Sequence, residues 1–162
     1  MLNYKLHIRE TPNFPIPGVL FRDINPLLAK PELFAQILQD FVALLDLNSI
    51  DAFVGIESRG FILASALATI THKGFIPLRK AGKLPPPLFQ ESYNLEYGSA
   101  ILEMHAGSGR IVIIDDVLAT GGTLDAARRL CQKAGYTIQD TMVLINLKYL
   151  NQQKIKSLVD YE

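Results

Sequence analysis

The stretch Arg110 to Thr123, RIVIIDDVLATGGT, constrains this chain more than any other. Ile111 to Ile114 is an unbroken apolar run that ends in two aspartates. A strand that does not alternate is covered on both faces, the condition of a parallel sheet with helices on either side. The small residues Ala119 to Gly122 then turn the chain into a helical pattern. Leu124, Ala127, Leu130, Cys131 and Ala134 share one face there, and Gly135 stands as its C-cap.

The same alternation of strand and helix recurs along the chain. Residues 1–30 hold TPNFPIPGVLFRDINPLL, with four prolines and a glycine, and read as an ordered but irregular layer, a hood. Pro31 opens a helix with Phe34, Ile37, Leu38, Phe41, Leu44 and Leu45 at helical spacing. Asp51 to Ile56 is a short buried strand that runs into ESRGF and a second helix, with Ile62, Leu63, Ala66, Leu67 and Ile70 on one face. GFIPL, AILEM and MVLINL supply further strands. Residues 79–98 are polar, aromatic and without apolar periodicity; a connection that long in a small domain is a functional lid or disordered. The expected fold class is therefore α/β: a mostly parallel sheet flanked by helices, a hood over 1–30 and a mobile loop over 79–98, in a single domain spanning 1–162. Ligands bind such sheets beyond the carboxyl ends of the strands, where the loops after Ile56 and Ile114 lie.

Composition removes several classes. The 16 Lys and Arg balance 16 Asp and Glu, without the basic excess of a nucleic-acid binder. No apolar run reaches the ~18 residues of a membrane span. The start, MLNYKLHIRE, lacks a signal peptide's apolar centre, and the lone Cys131 cannot close an internal disulfide. A reduced, cytoplasmic setting is expected, with neither nucleic acid nor membrane as partner.

The chemistry sits in the loops. Ala119, Thr120, Gly121 and Gly122 let backbone N–H groups converge at a helix N-terminus, which attracts a phosphate, and Thr120 and Thr123 add hydroxyls. No Lys follows the glycines, so this is not a P-loop. As a bare motif, TGGT is also a tight turn with a Thr cap. Asp115 and Asp116 would repel an anion unless each had another partner. Sugar hydroxyls and a metal-bound water are natural ones, so a ligand with both a phosphate and a ribose satisfies the whole stretch. In ESRGF, Arg59 beside Gly60 at another helix start suits a second phosphate, or a surface ion pair. Arg79, Lys80 and Lys83 are a further site or a solvated face. Phe21 is a core plug or a platform for a flat base. His7, His72 and His105 have no metal spacing.

Taken in order, FPIPGVLFRDINPLL, ESRGF, LRKAGKLP, YNLEYG and IVIIDDVLATGGT closely resemble segments of the adenine phosphoribosyltransferases, of the type I phosphoribosyltransferase fold. The resemblance covers nearly the whole chain. It implies that adenine and 5-phosphoribosyl-1-pyrophosphate give AMP and pyrophosphate, with Mg2+ held mainly by the substrate near Asp115 and Asp116. It implies that Ala119, Thr120, Gly121, Gly122 and Thr123 cradle the 5′-phosphate, and that Arg59 and Lys83 stabilise the leaving pyrophosphate beside Glu57 and Ser58. Arg79 would reach pyrophosphate from a neighbouring subunit, in a homodimer. Phe21 would stack on adenine, the backbone of Leu20 and Arg22 would read its edge, Glu96 would manage the N7 proton, and Tyr97 would close over the site. Ala81, Asn25, Pro85 to Pro87 and the C-terminal INLKYLNQQKIK depart from the family pattern. A 6-oxopurine phosphoribosyltransferase is the alternative enzyme. A non-catalytic sensor of phosphoribosyl pyrophosphate is the alternative of another class.

Overall fold

The computed structural model describes residues 2–94 and 98–162, which fall into two units, Met1–Ala43 and Leu44–Glu162. In the first, β1 (Arg9–Pro12) pairs antiparallel with β2 (Leu20–Asp23), Thr11 opposite Phe21. The segment expected as irregular thus carries a ribbon. Short α1 (Asn25–Leu28) and α2 (Pro31–Ala43) follow. Leu33, Ile37, Leu38 and Phe41 are the buried face of α2. Ile37, Leu38 and Phe41 of the expected face are buried, but Leu33 joins them, Phe34 is only half-buried, and Leu44 and Leu45 lie beyond the helix. Tyr4, 1% exposed, donates its hydroxyl to Asp40 Oδ2 at 2.6 Å, and Gln36 Nε2 donates to Asp40 Oδ1 at 2.8 Å.

The second unit is a sheet between helices. In chain order it holds β3 (Ala52–Ile56), α3 (Arg59–Thr71), β4 (Gly74–Lys80), β5 (Phe89–Asn94), β6 (Ser99–Met104), β7 (Gly109–Leu118), α4 (Gly122–Lys133), β8 (Tyr136–Leu147) and β9 (Lys156–Tyr161). The seven strands lie in the order β5-β6-β4-β3-β7-β8-β9. From β4 to β9 all neighbours are parallel; β6 and β5 add an antiparallel edge. Val54, Ile56, Ile111 and Ile113 share one apolar cluster with Leu124, Ala127, Leu130 and Cys131 of α4. Side chains alternate across a sheet, so Gly55 points to the other face, where a Cβ on it would touch Ala64 of α3. Ile111 to Ile114 are fully buried, as their unbroken apolar run requires.

Three further features differ from the expectations. The helix face read as Ile62, Leu63, Ala66, Leu67 and Ile70 buries Leu63 and Leu67 but with Gly60, Ala64 and Ala68, while Ile62 and Ile70 are exposed. Small residues let α3 approach the sheet closely, and a helix apolar on both sides gives periodicity nothing to choose between. Within 79–98, β4 runs on to Lys80 and β5 pairs with β6 over Phe89↔Met104 to Asn94↔Ser99. The edge strand β9, of which only Val159 is buried, was not anticipated. Cys131 is buried, and that burial pushes its thiol up to about 12, as an inert core residue.

Candidate active site

The carboxyl ends of β4, β3 and β7 lie side by side, Ile56 opposite Leu78 and Gly55 opposite Ile114. Two helices start there. The Glu57–Ser58 peptide, which is cis, leads from β3 into α3, and residues 119–121 lead from β7 into α4. Gly60 lets the first turn of α3 lie against β7: a Cβ there would stand 2.7 Å from the Ile114 carbonyl oxygen and 3.0 Å from Asp115 Oδ1. This approach brings Arg59 Nε to 2.8 Å from Asp116 Oδ2.

Asp115 and Asp116 sit where charge is costly. Asp116 is 5% exposed, and Asp115 Oδ1 accepts the Asp116 N–H at 3.0 Å. Burial, and then the neighbouring Asp116 charge, hold the Asp115 carboxyl well above the usual carboxylate range. Burial also raises Asp116, against the pull of Arg59. One guanidinium near two carboxylates leaves the pair short of positive charge and of donors. Ribose hydroxyls and a hard cation are what such oxygens accept. Mg2+ typically takes one or two carboxylates together with water and substrate phosphates, so these residues fit it.

Gly121 has φ +97° and opens α4 without a capping side chain. The first helical hydrogen bond to it comes from the Asp125 N–H at 3.0 Å, so the N–H groups before Asp125 face the loop, with the positive end of the helix dipole. Asn151 Nδ2 braces this loop from behind, donating to the Ala119 carbonyl at 2.9 Å. At the front, a Cβ on Gly122 would lie 3.2 Å from the Asn94 carbonyl.

A second group lies at the end of β4. Glu57 Oε2 accepts Arg79 Nε at 3.0 Å and the Lys80 N–H at 2.9 Å. Burial opposes its charge, but these donors outweigh it, and the carboxyl stays below its ordinary value. Arg79 also lies over the Phe61 ring, 5.7 Å from its centroid. Lys83 follows in the turn after β4, its side chain exposed.

The residues singled out from the sequence therefore divide. Arg59, Asp115, Asp116 and residues 119–123 converge on the ends of β3 and β7. Glu57, Ser58, Arg79 and Lys83 flank the adjoining end of β4. Leu20, Phe21 and Arg22 form β2 of the N-terminal unit, where Phe21 meets Phe14 edge-on at 5.2 Å. Glu96 and Tyr97 lie outside the described residues. Glu103 and Asn151 were not anticipated, because each acts through a partner far along the chain.

The phosphoribosyl transferase domain family matches residues 27–158. An adenine phosphoribosyltransferase of Bdellovibrio bacteriovorus is 51% identical, over 99% of this chain and all of its own. The crystal structure of adenine phosphoribosyltransferase from Rhodothermus marinus is 40% identical, with a TM-score of 0.88 over 97% of this chain and 96% of that one. The Saccharomyces cerevisiae enzyme, solved with an imino-altritol bisphosphate and adenine, is 36% identical, with a TM-score of 0.85 over 90% of this chain and 88% of that one.

Proposed function

The chain belongs to the phosphoribosyl transferase family, among its adenine phosphoribosyltransferases, and we propose how its residues divide that reaction between them. The reaction joins adenine to 5-phosphoribosyl-1-pyrophosphate and releases AMP and pyrophosphate, a step of purine salvage. The carrying observation is the pair Asp115 and Asp116 at the mouth of the glycine loop that opens α4.

The N–H groups of residues 119–123 and the hydroxyls of Thr120 and Thr123 bind the 5′-phosphate. Asp115 and Asp116 accept the ribose hydroxyls, directly or through Mg2+. When bound, Mg2+ supplies positive charge to the departing pyrophosphate. Breaking the C1′–O bond puts cationic character on the sugar and negative charge on the leaving group. Arg59, Lys83 and the backbone around Glu57 and Ser58 stabilise the latter. Phe21 stacks on adenine. Among the described residues β2 pairs only with β1, so its other edge turns backbone groups away from β1. Those of Leu20 and Arg22 read the purine's donor–acceptor edge, which hypoxanthine reverses. Glu96 manages the proton at N7 and Tyr97 closes the site. The chain enters that segment from Asn94, whose carbonyl borders the phosphate loop.

A homodimer is supported by the α3 side of the sheet, where Ile62, Ile70 and Phe75 are 39%, 49% and 37% exposed. Arg79 then serves the neighbouring subunit's pyrophosphate. In sedimentation, Ile70→Glu is expected to shift the chain from dimer to monomer; an unchanged profile would move the interface elsewhere. No helix among the described residues is long and apolar enough to cross a membrane, and the setting we propose is cytoplasmic.

Turnover of phosphoribosyl pyrophosphate with adenine, hypoxanthine, guanine and orotate, with and without Mg2+, tests the assignment. AMP formed from adenine with a preference of about a thousandfold or more, and lost on chelation, is the expected result. Product from a 6-oxopurine would sink the reading of Leu20 to Arg22. Binding without turnover would make the chain a sensor.

A further inference from the structure

The turn that carries Lys83 is built around a buried carboxylate outside the site described above. Glu103, in β6, is 1% exposed. Its Oε1 accepts the backbone N–H of Lys83 at 2.7 Å and of Leu84 at 2.8 Å. Its Oε2 accepts the Gly82 N–H at 3.1 Å and Gln90 Nε2 at 3.3 Å. Three successive amides converging on one anion form the kind of backbone nest that binds phosphates, and here the chain supplies the anion itself.

Only an ionised carboxylate meets these demands, because all four neighbours donate and none accepts. Burial works against its charge, but the amides of Lys83, Leu84 and Gly82 outweigh burial and hold the carboxyl below its ordinary value. The register gives the arrangement its consequence. Glu103 stands opposite Arg79 on the β4–β6 ladder, and the Ala81 N–H donates to the Ile101 carbonyl at 3.0 Å just before the chain turns. Glu103 therefore fixes the direction in which the chain leaves β4. The Lys83 backbone is held while its side chain remains exposed. A long, flexible ammonium arm loses less entropy on meeting an anion when its base is already fixed.

We propose that Glu103 is a positioning residue for the transfer: by gathering the amides of Gly82, Lys83 and Leu84, it aims Lys83 at the pyrophosphate of the substrate. This rests on the reading of Lys83 as a ligand of that group. Gln in place of Glu103 keeps the size but turns one acceptor into a donor facing Gly82 and Gln90. Asp keeps the charge but withdraws it by one methylene.

The test is steady-state kinetics on E103Q, E103D, K83A and the double variant E103Q/K83A, with thermal unfolding alongside. Glu103→Gln is expected to raise KM for phosphoribosyl pyrophosphate about tenfold and leave KM for adenine within about twofold. Glu103→Asp, the milder change should Gln prevent folding, is expected to raise the same KM about threefold. On the K83A background the Gln substitution is expected to add less than about twofold, because its effect passes through Lys83. Equal losses for both substrates, an unchanged phosphoribosyl pyrophosphate KM in E103Q or E103D, or losses that multiply in the double variant would overturn the proposal. K83A with an unchanged phosphoribosyl pyrophosphate KM would instead overturn the role of Lys83, and the aiming of it with that role.

Discussion

Asp115→Asn is expected to raise the melting midpoint of the ligand-free protein while lowering kcat/KM for phosphoribosyl pyrophosphate about a hundredfold. Both effects have one cause. Burial and the Asp116 charge lift the Asp115 carboxyl well above its ordinary value. The folded chain therefore binds more protons there than the unfolded chain, and stability falls as pH rises from the ordinary carboxylate range through the raised value. Asparagine carries no charge and keeps an oxygen for the Asp116 N–H, which Asp115 Oδ1 accepts at 3.0 Å. It cannot replace the charge that a cation and ribose hydroxyls would answer. Asp51, Glu57, Glu91 and Glu103 shift the other way, each held down by donors, so their contribution is lost as pH falls through their lowered values. The ligand-free chain should be most stable in mild acid. Calorimetry from about pH 5 to 8 should show the midpoint falling toward the alkaline end, less steeply in the variant. A variant that melts lower at neutral pH, or keeps its activity, would mean that the Asp115 charge is already balanced within the chain.

The parts of this site that were legible are those written within a few residues. IVIIDD announces a covered strand ending in carboxylates, and ATGGT announces a glycine turn into a helix N-terminus, because strand, turn and helix start are local. Local pattern failed where two surfaces compete for one helix. α3 is apolar on both sides, and the sheet takes Gly60, Ala64 and Ala68, the residues that permit close approach, leaving Ile62 and Ile70 outside. Periodicity carries no information about which side a neighbour will occupy. Edge strands failed for the opposite reason. β5 and β9 bury one residue each, Tyr93 and Val159, too little to mark them as strands. The supporting residues were illegible because each partnership spans the fold. Glu103 answers Lys83 from 20 positions away, and Asn151 answers Ala119 from 32. A glutamate in ILEMH reads as half of an alternating strand until the turn after β4 folds back over it. Glu57 shows how a sequence reading can find a residue without its partner: it stands in the loop between β3 and α3, and its carboxylate is taken by Arg79 and the Lys80 amide.

Gly60→Ala sets two physical effects against each other with opposite signs. Gly60 lies in the first turn of α3, where helix propensity alone favours alanine by about 1 kcal/mol. The packing opposes it. The added methyl would stand 2.7 Å from the Ile114 carbonyl oxygen and 3.0 Å from Asp115 Oδ1. The first is backbone inside a sheet whose neighbours are fully buried, so the helix must move rather than the strand. Overpacking of this kind costs about 2–3 kcal/mol, which outweighs the propensity gain. A net loss of about 1–2 kcal/mol lowers the melting midpoint of a chain this size by about 3–6 °C. The displacement also falls on the site. Moving the first turn of α3 outward draws Arg59 from Asp116, now 2.8 Å apart, and phosphoribosyl pyrophosphate KM should rise about tenfold or more. Gly82→Ala is the control for backbone freedom: its φ is +84° but a Cβ there meets nothing within 4 Å, so any loss comes from conformation and not from contact. If Gly60→Ala melted higher than the unmodified chain, propensity would have won. The first turn of α3 would then be free to shift, and the pairing of Arg59 with Asp116 would not depend on its seat against β7.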